Sequence, residues 1–297
     1  MKLYINHSKA LKHFKKVLGN ANHFLITALV GLDALQENED YKISEDFHTS
    51  WNPQNKLNSI NRTRKFILEM SLSRAVDALE IYIDHSNNAP FLFQSESLKQ
   101  GIKDNSKSIT KKFNFICDEY KIDSKLHALG ILLITWRNRI IHSECDNQLE
   151  HGYKKIILDN SQWLCDNFRH LDATKLLEHF EKKDGLTFKE ATSLIKVTHD
   201  IVYFIEGKSL SNIDSSLYFK EIIKEIIKNE SKNDNQKLKN IAKVWGKNGN
   251  NKIRAINGKL SSYGLSEQKS DSGVEIDEFL VSEVYKTSPK ELLENYS

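Results

Sequence analysis

Apolar residues recur along this chain at alternating three- and four-residue steps. Leu11, Phe14, Leu18, Ala21, Leu25, Ala28, Leu32 and Leu35 form the first such stripe and predict a long helix over residues 7–37. A second helix is expected after Pro53, which suits an early helical position, with Leu68, Leu72, Ala75, Leu79 and Ile83 on its apolar face. The run Ser86-Asn87-Asn88-Ala89-Pro90 stops it. Ile102, Ile109, Phe113, Ile116 and Tyr120 predict a third helix over 96–121.

The fourth helix opens on the cap signal Asp123-Ser124 and carries Leu126, Leu129, Leu133, Trp136 and Ile140, with Ile131, Leu132, Ile134 and Ile141 on its other faces. A helix apolar on several faces is buried among its neighbours. Helices over 161–182 and 187–206 complete the set, the last with Ala191, Ile195, Thr198, Val202 and Ile205 at core spacing. No segment alternates with period two. The expected fold is all-α, an antiparallel helical bundle over residues 1–206.

Composition narrows the class. Of 297 residues, 39 % are hydrophobic and 28 % charged, enough apolar material for a core and too much for a disordered chain. The longest apolar run, residues 127–136, falls short of the ~20 residues a membrane span needs. The opening MKLYINHSKALKHFKK lacks an apolar signal core. The three cysteines (Cys117, Cys145, Cys165) are far apart and form no CxxC. A cytoplasmic protein without a disulfide framework is the expectation. Only 12 glycines and three prolines occur, too little turn chemistry for a parallel βα sheet.

Charge divides the chain after residue 206. Residues 215–263 carry a local net charge of +7 and residues 264–297 a net charge of −5, although the whole chain is only +3. Residues 207–263 read as a basic helical extension and 264–297 as an acidic C-terminal tail with short amphipathic stretches over 275–286 and 289–296. Lys243, Lys247, Lys252 and Arg254, with Phe219, Trp245 and Tyr263 interleaved, are candidates to track a nucleic-acid backbone. A solvated lysine-rich helix has the same composition. The tail either folds back on the basic segment or serves as a partner-binding arm.

The chain has 36 lysines and seven arginines, and two of the seven, Arg137 and Arg139, fall in one hexapeptide at the end of the central helix. The segment Trp136-Arg137-Asn138-Arg139-Ile140-Ile141-His142 supplies three groups that RNA cleavage uses. An imidazole moves protons near neutral pH, a guanidinium holds a phosphate in a fixed fork, and an amide orients either. Asn138 and His142 lie within about 40° on one helix, whereas Arg137 and His142 are about 140° apart. That separation favours a composite site completed by a second copy of the helix. Arg139, about 60° from His142, competes for the role of Arg137. A structural role is open to each: His142 suits the negative end of a helix dipole, and both arginines suit acids on neighbouring helices.

The six helices, with Arg137-Asn138-x-x-x-His142 ending the central one, resemble the HEPN superfamily of all-α domains. Many of its members are metal-independent endoribonucleases in toxin–antitoxin, abortive-infection and other anti-phage systems. The resemblance covers residues 1–206 and says nothing of the segments beyond. It implies that Arg137 and His142 are catalytic with Asn138 beside them, that RNA is the substrate, that a homodimer brings two motifs together, and that an antitoxin or defence-system partner restrains the activity. The alternative is a non-catalytic helical module that binds RNA or nucleotide or scaffolds such a complex.

Two further groupings bear on the site. Glu69, Ser73, Asp77, Glu80 and Asp84 form a polar stripe on the second helix, from which Asp77 or Glu69 can orient the imidazole or an arginine. The same stripe fits the solvated edge of an amphipathic helix, and Arg74 within it can pair with its neighbours. His142-x-Glu144-Cys145-x5-His151 contains metal-ligand residue types, but its spacing matches no common zinc site. No metal and no cofactor are expected.

Overall fold

The computed structural model describes residues 1–38, 44, 46, 53–142, 147–230 and 233–296. The described elements are overwhelmingly helical, as the apolar periodicity predicts. They fall into two compact units, Met1–Lys15 with Glu80–Lys121 and Val202–Ser297, and Lys16–Leu79 with Ile122–Ile201. Three long helices contribute to both: α1 (Lys9–Glu37), α2 (Lys56–Ser86) and α9 (Phe188–Ser211). Among the described residues no helix is long and apolar enough to cross a membrane.

The second unit is built around α5 (Ser124–Ile141). Asp123 caps it by accepting from the Lys125 amide at 2.8 Å, and every residue from Ala128 to Trp136 is buried. The unit also contains α6 (His151–Asp159), α7 (Ser161–Asn167) and α8 (Ala173–Lys182). Helix α6 packs on α5 and α8, and the Trp136 ring meets Phe180 of α8 edge-on at 5.4 Å.

In the first unit, α3 (Glu96–Asp104) and α4 (Ile109–Tyr120) pack together. The remaining helices are α10 (Ser215–Glu230), α11 (Asp234–Trp245), α12 (Gly249–Ser261), α13 (Glu278–Lys286) and α14 (Pro289–Tyr296). Ser8 caps α1 by accepting from the Leu11 amide at 3.0 Å. Its hydroxyl and that of Tyr82 donate at 2.8 and 3.0 Å to the buried Glu206 carboxylate. Lys112, only 2 % exposed, is held between Glu80 and Asp84 at 2.8 and 2.9 Å. The C-terminal helices pack on the basic ones, α13 on α12 and α14 on α10 and α11, and the Trp245 indole donates to the Val284 carbonyl at 3.2 Å.

The structure departs from the periodicity at definite places. The third expected helix is two, because Ser108 caps a fresh start at Ile109. The segment 161–182 is also two helices, broken by a turn in which Arg169 and His170 take left-handed φ values of 53° and 59°. Helix α6 had no counterpart in the pattern, and α9 continues to Ser211. A small antiparallel sheet is present as well. Its central strand β1 (Tyr4–Ile5) pairs with β2 (Leu265–Ser266) and β3 (Val274–Glu275), in register Tyr4↔Ser266 and Tyr4↔Glu275. Strands of two residues have no periodicity to detect.

Candidate active site

Helix α5 changes character in its last turn. Trp136 ends the buried run, and Arg137, Asn138 and Arg139 follow on partly exposed positions before His142 closes the helix. The His142 amide donates to the Asn138 carbonyl at 3.0 Å, so the backbone fixes the histidine one turn beyond the asparagine. Its ring is exposed and has no hydrogen bond to a described residue.

Arg137 is the most constrained member. Its side chain is 19 % exposed, and Nη2 donates to Asp77 Oδ1 of α2 at 3.0 Å. Nη1 donates to the neighbouring Asn138 Oδ1 at 3.2 Å, while Nε is buried without a partner. The other oxygen of Asp77 lies 3.7 Å from Arg74 Nη1, so one carboxylate stands between two guanidiniums. This trio leaves one positive charge in excess next to the amide of Asn138. A charge-assisted bond to a carboxylate fixes both the position and the plane of a guanidinium.

Arg139 is directed elsewhere. Its Nε donates to the Asn147 carbonyl, Nη1 donates to the Phe180 carbonyl at 2.7 Å, and the guanidinium carbon sits 3.7 Å from the centre of the Phe180 ring. Two carbonyls and an aromatic face make it a tie between α5, the segment after it and α8. It is not available to replace Arg137.

The polar stripe of α2 divides in the same way. Asp77 reaches Arg137, but Glu69 is paired with Lys65 at 4.0 Å, and burial raises its carboxyl above the usual range while Lys65 partly opposes the shift. Ser73 donates to the Glu69 carbonyl at 3.0 Å and has no hydrogen bond to Arg137. Arg74, expected to pair with a neighbour in the stripe, does so with Asp77. The three-residue spacing puts the two side chains on one face of the helix.

The candidate nucleic-acid residues all lie in the first unit. Lys247 and Arg254 are exposed and have no ion pair among the described residues. Lys243 meets the Asn240 side chain at 3.3 Å. Lys252 donates to the Thr287 carbonyl at 3.1 Å, and partial burial lowers its pKa. The aromatic residues interleaved with them are not available for base stacking: Phe219, Trp245 and Tyr263 are 0, 2 and 8 % exposed and belong to the core. Their spacing served packing.

Within the metal-type motif, Glu144 and Cys145 lie outside the described residues. Among the described residues no group of three or more His, Cys, Asp or Glu side chains converges as metal ligands would. Compared with known protein families, curated proteins and solved structures, the chain matches none of them.

Proposed function

We propose that the chain is a metal-independent endoribonuclease whose catalytic groups are Arg137 and His142, with Asn138 as a positioning residue. The observation that carries this reading is the anchoring of the Arg137 guanidinium between Asp77 and Asn138, close in sequence to an unburdened, exposed imidazole. Such anchoring presents fixed donors to the charge that builds on a phosphate in the transition state. A general base takes the proton of a ribose 2′-hydroxyl, and the 2′-oxygen attacks the adjacent phosphorus. The bond to the 5′-oxygen breaks, and that oxygen leaves with a proton from a general acid. The products are a 2′,3′-cyclic phosphate and a 5′-hydroxyl. His142 supplies one of the two proton transfers, and Arg137 holds the non-bridging oxygens.

The angle of about 140° between Arg137 and His142 on one helix supports a homodimer in which a second copy completes the site. By resemblance the biological role is that of a toxin or anti-phage effector acting on RNA in the cytoplasm, restrained by an antitoxin or another defence component. Of the four nucleic-acid candidates, Lys247 and Arg254 are exposed with no side-chain partner among the described residues, and we assign them to contact the RNA backbone.

A second reading has support in the same geometry. Asp77 and Asn138 already engage Arg137, as they would in a helical module that only binds RNA or scaffolds a complex. Incubation of total RNA with the wild type, Arg137→Ala and His142→Ala in EDTA separates the two. The nuclease cuts, and both variants fail to cut while keeping wild-type helicity. Intact RNA with all three proteins, together with undiminished RNA binding, establishes the module.

A further inference from the structure

A cavity of about 350 Å³ opens between α1, α9 and the turn joining α7 to α8, all within the second unit and separate from the residues of the candidate active site. That volume lies at the small end of the ~300–1,000 Å³ typical of small-molecule sites. The lining combines rings with cations. Phe188 is 42 % exposed, while Phe168 is buried with Lys196 Nζ 4.8 Å from its ring centre. Arg169 and Lys196 both line the cavity, and no carboxylate does. The Lys196 charge is answered by Asp200 at 2.6 Å, outside the lining, whereas Arg169 has no ion pair among the described residues. The cavity therefore offers one uncompensated guanidinium beside an exposed aromatic face.

The backbone under Arg169 is the second observation. Helix α7 ends with the His170 amide donating to the Cys165 carbonyl at 2.9 Å, the closure in which the residue after the helix cap is left-handed and usually glycine. Here that residue is Arg169, and His170 after it is left-handed as well. Both side chains are carried at a conformational cost that glycine would avoid. Costs of this kind gather at ligand-binding positions. Hydrogen-bonding capacity is also present at the walls. The Asn22 side-chain amide has no bond to a described residue, and the Thr192 hydroxyl, which donates to backbone carbonyls, keeps its lone pairs free to accept.

We infer that this cavity binds a nucleotide. A planar heteroaromatic ring lies against Phe188, the edge of the ring is read by Asn22 and Thr192, and the phosphate pairs with Arg169. A free mononucleotide and a single nucleotide of an RNA strand present the same chemistry.

Titration calorimetry on the full chain tests the inference. The probes are AMP, adenosine, inorganic phosphate and a 2′-O-methylated tetra-adenylate that cannot be cut by 2′-hydroxyl attack. The variants are Arg169→Gly and Phe188→Ala. Binding of AMP, with adenosine and phosphate each at least tenfold weaker, identifies a free nucleotide as the ligand. Binding of the tetramer alone identifies a strand. In either case both variants weaken binding at least tenfold, and Arg169→Gly melts at a temperature no lower than the wild type, because glycine relieves the turn. No binding of AMP or tetramer, or binding unchanged in the two variants, overturns the inference. So does Arg169→Gly if it gains thermal stability with affinity intact, which would reduce Arg169 to a strained cap.

Discussion

Arg137 Nη2 and Asp77 Oδ1 lie 3.0 Å apart and join the last turn of α5 to α2. Sixty residues separate them in the chain, and the bond orients the guanidinium on which the proposed chemistry depends. Asp77→Ala leaves a partly buried arginine without its counter-charge and is expected to cost about 1–2 kcal/mol in urea unfolding. It should also lower RNA cleavage at a temperature where the variant remains folded. Asp77→Asn keeps an acceptor oxygen and should fall between wild type and Asp77→Ala in both measurements. Arg74→Gln removes only a half-exposed contact at 3.7 Å and should change stability by less than about 0.5 kcal/mol.

Arg139 has the opposite character. Replacing it with alanine takes the side-chain donor from the Asn147 carbonyl, leaves the Phe180 carbonyl only the Lys183 amide at 3.3 Å, and removes a guanidinium stacked on an aromatic ring. The expected loss is about 2–3 kcal/mol, visible as a clear drop in melting temperature. Lysine should rescue little of it, since an ammonium reproduces neither the fork nor the stacking. Recovery of most of the stability in Arg139→Lys would show that only the charge matters there.

Glu206 makes a pH-dependent contribution. Burial raises its carboxyl pKa, against the opposing effect of the Ser8 amide, the Ser8 hydroxyl and the Tyr82 hydroxyl that donate to it. A folded-state pKa above the unfolded value means that the native state holds its proton more tightly. The associated stability is full below the ordinary glutamate range near 4.5 and is lost as pH rises through the elevated value. Melting curves from pH 4 to 8 should therefore show a decline in the wild type that Glu206→Gln lacks. Parallel curves for the two proteins would count against a raised pKa.

On the first unit, Lys247 and Arg254 are proposed to contact an RNA backbone. The double change Lys247→Gln, Arg254→Gln should reduce the slope of log affinity against log salt for single-stranded RNA by about 1.4, two contacts at roughly 0.7 each. An unchanged slope would leave these residues as ordinary solvated charges.

The proposed composite site differs from a single-chain site in what a mixture of variants should do. Arg137→Ala and His142→Ala proteins, each inactive, should regain activity when unfolded together and refolded as a mixture. Half of the randomly assembled dimers then contain one intact pair, so about one quarter of wild-type activity is expected. A mixture as inactive as its components would place both groups in one chain.

Helix α5 was legible because nine consecutive buried residues, Ala128 to Trp136, leave no polar face. The breaks at 105–108 and 168–172 were not, since apolar residues keep helical spacing across them; Ile102 and Ile109 stand seven apart, as in an unbroken helix. Arg137, Asn138 and His142 could be read as a group from their spacing, and Asp77 from its stripe. The fate of Arg139 could not. It depends on carbonyls of Asn147 and Phe180, which carry no side-chain signature in the sequence. The aromatics at 219, 245 and 263 show the reverse error, in which core packing imitates a stacking platform.

Arg137 and His142 are proposed to cut RNA by attack of the 2′-hydroxyl. This is tested most directly with an end-labelled RNA containing one mapped cleavage position, in EDTA, against the same RNA bearing a 2′-deoxy sugar at that position. The expected results are a product ending in a 2′,3′-cyclic phosphate from the first, no cut at that position in the second, and no cut of the first by Arg137→Ala or His142→Ala. Cutting of the deoxy-substituted strand at the same position, or cleavage that persists in His142→Ala, would contradict it.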